Sequence, residues 1–361
     1  MSGTEFTLVL SGGGMKGLAH IGVLAALEER GLVPSLIVGS SIGALVAATW
    51  ACGMPIDEII ARARLVKRRH IFAVAHADMA FRRMLAPAVY RREPLEQLIH
   101  SLVGHRTFRE LRRPILVNTV DLNSGSQVLW GLPGLDDIRV ADAVFASCAL
   151  PGIFPPHAIG DRVYVDGAVV ENLPLRIAAA AGRGPIVGIN LNALGPVNLD
   201  RTDAHAHGFA ATYVRGLEMV MQTQSLDRLQ AWQRPPLVLV QPRVAHIQMF
   251  AFDRADELVA EGHRAMLDAL DALSAPLGQL GSGIHPRRPV RVVVDGERCV
   301  GCGACALWAP DVFRMTPRAV AEVTAPVHWW TPVDGSYMSH CPTRAIRVEP
   351  ADGAAPVSRT A

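Results

Sequence analysis

Ser41 sits in Gly39-Ser40-Ser41-Ile42-Gly43, between the apolar run Leu36-Ile37-Val38 and the Ala-rich run Ala44-Leu45-Val46-Ala47-Ala48. The pattern G-x-S-x-G between a strand and a helix describes a nucleophile elbow, a sharp turn that lifts a serine hydroxyl clear of the backbone. Gly39 and Gly43 are expected because a Cβ at either position would strike the facing element. The helix start behind the serine favours developing negative charge. A glycine-rich turn with a serine N-cap is the other reading of the same residues.

A second group lies upstream. Gly12-Gly13-Gly14-Met15-Lys16-Gly17 follows the apolar run Phe6–Leu10 and precedes a helical pattern from Leu18 to Arg30. Gly12, Gly14 and Gly17 satisfy G-x-G-x-x-G, the setting of a dinucleotide site, but that site also needs an acid at the end of the next strand to hold a ribose. Here that strand ends in Val38-Gly39-Ser40. The alternative is an oxyanion hole: Gly12, Gly13 and Gly14 expose backbone N–H groups, and Lys16 adds positive charge. Donors preset around an alkoxide are worth about 3–4 kcal/mol of barrier each. The missing acid and the serine in its place favour this alternative. Asp166-Gly167-Ala168 ends a further strand, Arg162–Val165, where a carboxylate reads either as a turn former or as a catalytic group.

These residues need elements to hold them. Strand, glycine turn, helix, strand, elbow and helix in succession imply a parallel sheet covered on both faces. Pro114–Thr119 reads as a third strand, with Ser126–Trp130 beside it after a turn. Ile138–Ser147 and Leu173–Ala181 read as helices, Pro185–Leu191 and Leu237–Val240 as strands, and 205–232 and 253–273 as the last long helices. Residues 55–113 break the pattern. Their many arginines, from Arg62 to Arg92, alternate with apolar residues, as in a solvated helical cap over the sheet or a basic, apolar flap on anionic lipid.

The glycine turn, the elbow, Asp166-Gly167-Ala168, Ala146-Ser147-Cys148-Ala149-Leu150-Pro151 with Phe154-Pro155, and Asn172-Leu173-Pro174 together resemble the patatin-like phospholipases, in order, over about the first 275 residues. The resemblance implies a three-layer α/β/α sandwich with a mostly parallel sheet. It implies a Ser-Asp dyad of Ser41 as nucleophile and Asp166 as base, acyl-ester substrates such as phospholipids or lysophospholipids, and the glycine turn as oxyanion hole. A dyad agrees with the histidines, of which His20, His157 and His263 read as ordinary loop or helix residues rather than a triad base. Partial burial of Asp166 would raise its pKa toward that of a useful base.

Four of the six cysteines cluster near the C-terminus as Cys299-x₂-Cys302-x₂-Cys305 with Cys341-Pro342 downstream, a pattern of metal ligands rather than disulfides. With Ala309-Pro310-Asp311-Val312-Phe313 and Ala345-Ile346-Arg347-Val348 it resembles a bacterial ferredoxin. That resemblance implies a small α+β domain with one cluster on Cys299, Cys302, Cys305 and Cys341, because Ala309 stands where a two-cluster protein has another cysteine. Four ligands favour [4Fe–4S] over [3Fe–4S]; zinc is the alternative. Residues 326–338, with Trp329-Trp330, read as a surface loop ahead of a contact with the hydrolase part or an interfacial anchor.

The expected division is 1–275 hydrolase, 276–290 linker, 291–350 iron–sulfur domain and 351–361 tail. Half the residues are hydrophobic, 19% are charged and the net charge is +2, which supports a large core and gives no case for nucleic acid. Met1–Glu5 lacks a basic n-region and Ile42–Ile56 is too short to span a bilayer, so a cytoplasmic protein is expected, with peripheral contact on the inner face of the membrane compatible. The partners this reading allows are a lipid or acyl-ester substrate and a redox protein. Its rivals are an electron-transfer oxidoreductase and a redox-sensing scaffold.

Overall fold

The computed structural model describes residues 5–75, 88–192 and 209–351. The chain divides into two compact units, residues 1–271 with 275–283, and residues 272–274 with 284–361.

The first unit is built on one sheet with helices on both faces. Its strands are β1 (Thr7–Leu10), β2 (Leu36–Ser40), β3 (Ile115–Asp121), β4 (Gln127–Trp130), β5 (His157–Ile159), β6 (Arg162–Asp166), β7 (Ile186–Ile189) and β8 (Leu237–Val240). The order is β5-β6-β3-β2-β1-β7-β8, with β4 on β3. The pairs β3–β2, β2–β1, β1–β7 and β7–β8 are parallel. β1, β7 and β8 are buried throughout and β2 over Ile37–Ser40, as strands covered on both faces must be.

The register on β3 brings the two chemical ends together. β2 pairs with Ile115–Asn118, ending at Ser40↔Asn118. β6 pairs antiparallel with Thr119–Asp121, ending at Asp166↔Thr119. β4 pairs with Val117–Val120 and overlaps both, so β2 and β6 must share the other edge of β3. They meet there head-on, C-terminal end to C-terminal end.

The helices α1 (Ala19–Glu29) and α2 (Ile42–Ala51) follow the expected positions, and α3 (Ile56–Leu65) opens the segment where the sequence places no regular element. The glycine turn continues as a short 3₁₀ segment, Gly14–Leu18, before α1. α1 crosses the helix Ala255–Asp271 at main-chain distance. A Cβ on Gly22 would lie 1.9 Å from the Val259 carbonyl oxygen, and one on Gly262 would lie 1.9 Å from that of Ala19.

Five of the ten described arginines in residues 55–113 make ion pairs: Arg62 with Glu58, Arg64 with the distant Asp256, Arg91 with Glu93, Arg92 with Glu96, and Arg109 with Asp136 and Asp137. Ile56, Ile59, Ala63 and Phe72 are buried. That is a cap packed on the sheet domain. Arg82, Arg83, Met79, Phe81, Met84 and Leu85, which would belong to a lipid-resting flap, lie outside the described residues.

In the second unit, Arg288–Val294 is the centre of a three-stranded antiparallel sheet between His328–Trp330 and Ile346–Pro350, and Phe313–Met315 pairs with Ala321–Val323. The central strand begins inside the segment expected to be a linker. The surface-loop expectation for 326–338 is corrected: Trp329 and Trp330 lie on a strand, and Trp330 belongs to the core with Val290, Val292, Phe313, Tyr337 and Ile346. Its indole N–H donates to the Tyr337 hydroxyl at 3.0 Å. A tryptophan pair looks interfacial in sequence, but a small domain needs large side chains to make a core at all.

Candidate active site

Ser41 stands between β2 and α2 with φ 54° and ψ −129°. A residue with a Cβ avoids this region, and holding one there costs of the order of 1–3 kcal/mol. The elbow geometry explains both flanking glycines, though not symmetrically. A Cβ on Gly39 would lie 2.6 Å from Ala44 Cα, in the helix that follows; one on Gly43 would lie 2.3 Å from the carbonyl oxygen of Leu10, on the neighbouring strand β1. Gly17 closes the same corner, where a Cβ would meet the Ile42 side chain.

The strained turn is tied to the sheet by a residue whose role the sequence did not reveal. The Ser41 N–H donates to Ser147 Oγ at 2.9 Å, and the Ser147 hydroxyl donates to the Asn118 carbonyl at 2.7 Å. Ser147 is fully buried. Ser147→Ala should leave the Ser41 N–H unpaired and lower the unfolding free energy by about 1–3 kcal/mol, read by denaturant titration.

Asp166, at the end of β6, is buried, and its carboxylate lies near enough to the Ser41 hydroxyl for that group to lower its pKa. Burial raises its pKa to about 7, against the opposing effects of the Ala168 N–H, which donates to it at 2.9 Å, and of Ser41. The structure therefore brings Ser41 and Asp166 together. It leaves the three singled-out histidines committed elsewhere. His20 is fully buried, bonded to the Ser11 carbonyl at 2.8 Å and pulled down to about 4 by burial. His157 pairs with Asp142 at 3.2 Å and His263 with Glu29 at 2.7 Å.

Of the glycine turn, Gly12, Gly13 and Gly14 line the cavity beside Ser41. Both main-chain groups of Gly12 are engaged: its N–H donates to the Asn172 carbonyl at 3.2 Å, and its carbonyl accepts from Asn192 Nδ2 at 3.4 Å. The Met15 N–H is used by the Met249 carbonyl. That leaves the N–H groups of Gly13 and Gly14 without a partner among the described residues. Lys16 does not line the cavity; it is buried, desolvation lowers its pKa, and the Glu218 carboxylate opposes that.

The cavity holds about 300 Å³ and is almost wholly apolar. α2 supplies Leu45 and Val46, α3 supplies Ile59 and Ala63, and the helix Glu93–Val103 supplies Leu95 and Leu98. Phe72, Phe154 and Phe250 close on one another at its wall, with ring centroids 5.6 Å and 5.0 Å apart around Phe72. Cys148 also lines it, but burial and the Asp166 charge push its thiol well above the usual range, so it does not compete as a nucleophile.

In the second unit, Cys299, Cys302, Cys305 and Cys341 all line one small pocket, of about 20 Å³, with Val294, Met315, Ala321 and Ile346. Among the described residues no three His, Cys, Asp or Glu side chains are gathered closely enough to hold a single metal ion. Gly301 and Gly303 turn the loop with φ of 69° and 74°. The Ala345 N–H donates to Cys341 Sγ at 3.3 Å, the type of bond that tunes cluster sulfurs.

Comparison with known sequences agrees with this division. Residues 8–179 match the model described as patatin-like phospholipase, and residues 294–348 match the 4Fe-4S single cluster domain of ferredoxin I. An uncharacterised NTE family protein of Mycobacterium tuberculosis is 27% identical over 293 residues, 75% of this chain and 47% of the relative. A cGAMP-activated phospholipase of Escherichia coli is 28% identical over 188 residues, 46% of this chain and 52% of the relative. The chain spans about half the length of the curated relatives it matches. The crystal structure of VipD from Legionella pneumophila superposes with a TM-score of 0.46 at 14% identity, covering 75% of this chain and 67% of that one. No helix among the described residues is long and apolar enough to cross a membrane. Residues 8–179 are thus similar to the patatin-like phospholipases, and residues 294–348 to the single-cluster domain of ferredoxin I.

Proposed function

We propose that this chain is a serine hydrolase of lipid acyl esters. The observation that carries the reading is the strained Ser41 set beside a buried carboxylate with a pKa near 7, at the wall of an apolar cavity. Ser41 Oγ attacks the ester carbonyl carbon while its proton passes to Asp166. The Gly13 and Gly14 amides receive the oxyanion. The C–O bond to the alcohol then breaks, the alcohol takes the proton from Asp166, and an acyl-enzyme remains on Ser41. Water, deprotonated by Asp166, attacks that ester, and Ser41 leaves with the proton. The apolar wall suits a hydrocarbon acyl chain and excludes competing water.

The test is a panel of phospholipids, lysophospholipids and p-nitrophenyl esters, with a fluorophosphonate probe. Wild type should turn over at least one ester class and carry the label on Ser41. Absence of both turnover and label would dismiss the reading.

Cys299, Cys302, Cys305 and Cys341 are proposed to hold one [4Fe–4S] cluster, with a redox or regulatory role. When bound, such a cluster supplies one-electron transfer, and ester hydrolysis has no need of it. Protein purified without oxygen should contain about four irons and four sulfides per chain. Cys341→Ser should lower that content, while zinc in place of iron would refute the assignment. The cytoplasmic setting and peripheral membrane contact are part of this proposal.

A further inference from the structure

Asn172 follows the short helix Ala168–Glu171, six residues past Asp166. Its side chain is buried, and neither its amide nitrogen nor its amide oxygen has a hydrogen-bond partner among the described residues. Its main-chain carbonyl holds the Gly12 N–H, so the residue is fixed in place without using the side chain. Asn172 is among the residues that line the cavity shared by Ser41, Asp166, Gly13 and Gly14. A Cβ added to Gly12 would lie 2.5 Å from Asn172 Oδ1 and 3.1 Å from Ser41 Cβ. The amide and the nucleophile thus flank one bare α-carbon. A buried amide unpaired at both ends is costly, and such groups in folded proteins call for a ligand or a function. The polar atom that could pair with its N–H₂ end is the carbonyl oxygen of an ester on Ser41.

We propose that the Asn172 side-chain N–H₂ is a catalytic hydrogen-bond donor to the reacting carbonyl oxygen, acting with the Gly13 and Gly14 amides as that oxygen becomes negative. The inference rests on the acyl-ester hydrolase reading. Asn172 exchanges no proton; the bonds made and broken remain those at Ser41 and the ester. It also accounts for Asn172-Leu173-Pro174, which the dyad and the glycine turn leave without a task.

The experiment compares N172A and N172D with wild type as the full chain, using a p-nitrophenyl ester and a trifluoromethyl ketone that forms a tetrahedral adduct on a serine. N172D keeps the side-chain shape and removes the donor. Both variants should lose about 10²–10³-fold in kcat with KM within threefold. Affinity for the ketone should fall by a similar factor, which a purely structural change would not reproduce. If melting shows N172A unfolded, N172L, close in volume and uncharged, decides, because N172D also sets a carboxyl against the developing negative charge. Variants that keep kcat within threefold of wild type overturn the role of Asn172 and leave the hydrolase standing. Absence of Ser41-dependent turnover in the wild type overturns both.

Discussion

Ser41→Ala and Asp166→Asn should each lower kcat for ester hydrolysis by about 10⁴-fold or more, and the double variant should be hardly worse than either. On the proposed mechanism the two groups act as one unit, a hydroxyl and its base, so losing either forfeits nearly the whole effect. The pH profile tests the pair separately. Asp166 can accept a proton only when ionised, and burial places its pKa at about 7. In wild type kcat/KM should therefore level off above pH 7 and fall tenfold per unit below it. A flat profile from pH 5 to 9, or an active Asp166→Asn enzyme, would remove Asp166 as the base. Stability should show the opposite trend. The native carboxyl holds its proton up to about pH 7, the unfolded one only to 3.8. Wild type therefore loses stability as pH rises from about 4 to 7, by at most about 4 kcal/mol, and then no further. Asp166→Asn has no such slope, so denaturant titrations at pH 5 and 8 should show the variant gaining on wild type at the higher pH.

Gly22→Ala or Gly262→Ala should cost more than about 3 kcal/mol, because each new methyl would have to displace a main-chain carbonyl from 1.9 Å. At roughly 2–4 °C per kcal/mol for a unit of this size, melting should drop by about 6–12 °C. Two main chains in contact have no flexible side chain that could yield, so the helices must separate and open the packing behind the glycine turn. Gly216→Ala, within the helix Phe209–Gln230 where the added Cβ meets nothing, is the control and should gain up to about 1 kcal/mol. A melting point for Gly22→Ala within 2 °C of wild type would contradict the close crossing.

Much of this site was legible in sequence because its signals are local. Gly39, Ser41 and Gly43 belong to one turn, and the strands around them are short apolar runs with turn residues at their ends. What escaped depends on residues far apart. Ser147 is ordinary in the sequence; only the fold puts its hydroxyl beneath the Ser41 amide. Asn172 is distinguished by the partners it lacks, which no spacing records. Gly22 and Gly262 are separated by most of the domain. The walls of the cavity come from α3, from Glu93–Val103 and from Phe250, segments whose sequence suggested only a cap or a loop. Gly12 and Lys16 show the reverse error. Both are plausible donors by position, yet the Gly12 amide is spent on Asn172 and Lys16 does not line the cavity.

The meeting of β2 and β6 on β3 makes that middle strand a spacing gauge for the reaction. Neither Asn118 nor Thr119 is assigned a bond-making task, yet Ser40 is registered on the first and Asp166 on the second. A single residue inserted between them would add about 3.3 Å to the gap and turn the following side chains to the opposite face. An intact nucleophile and an intact base would then coexist in a dead enzyme. Damage of this kind would be invisible to an inspection confined to the reacting residues, and would have to be sought in the strand that measures the distance between them.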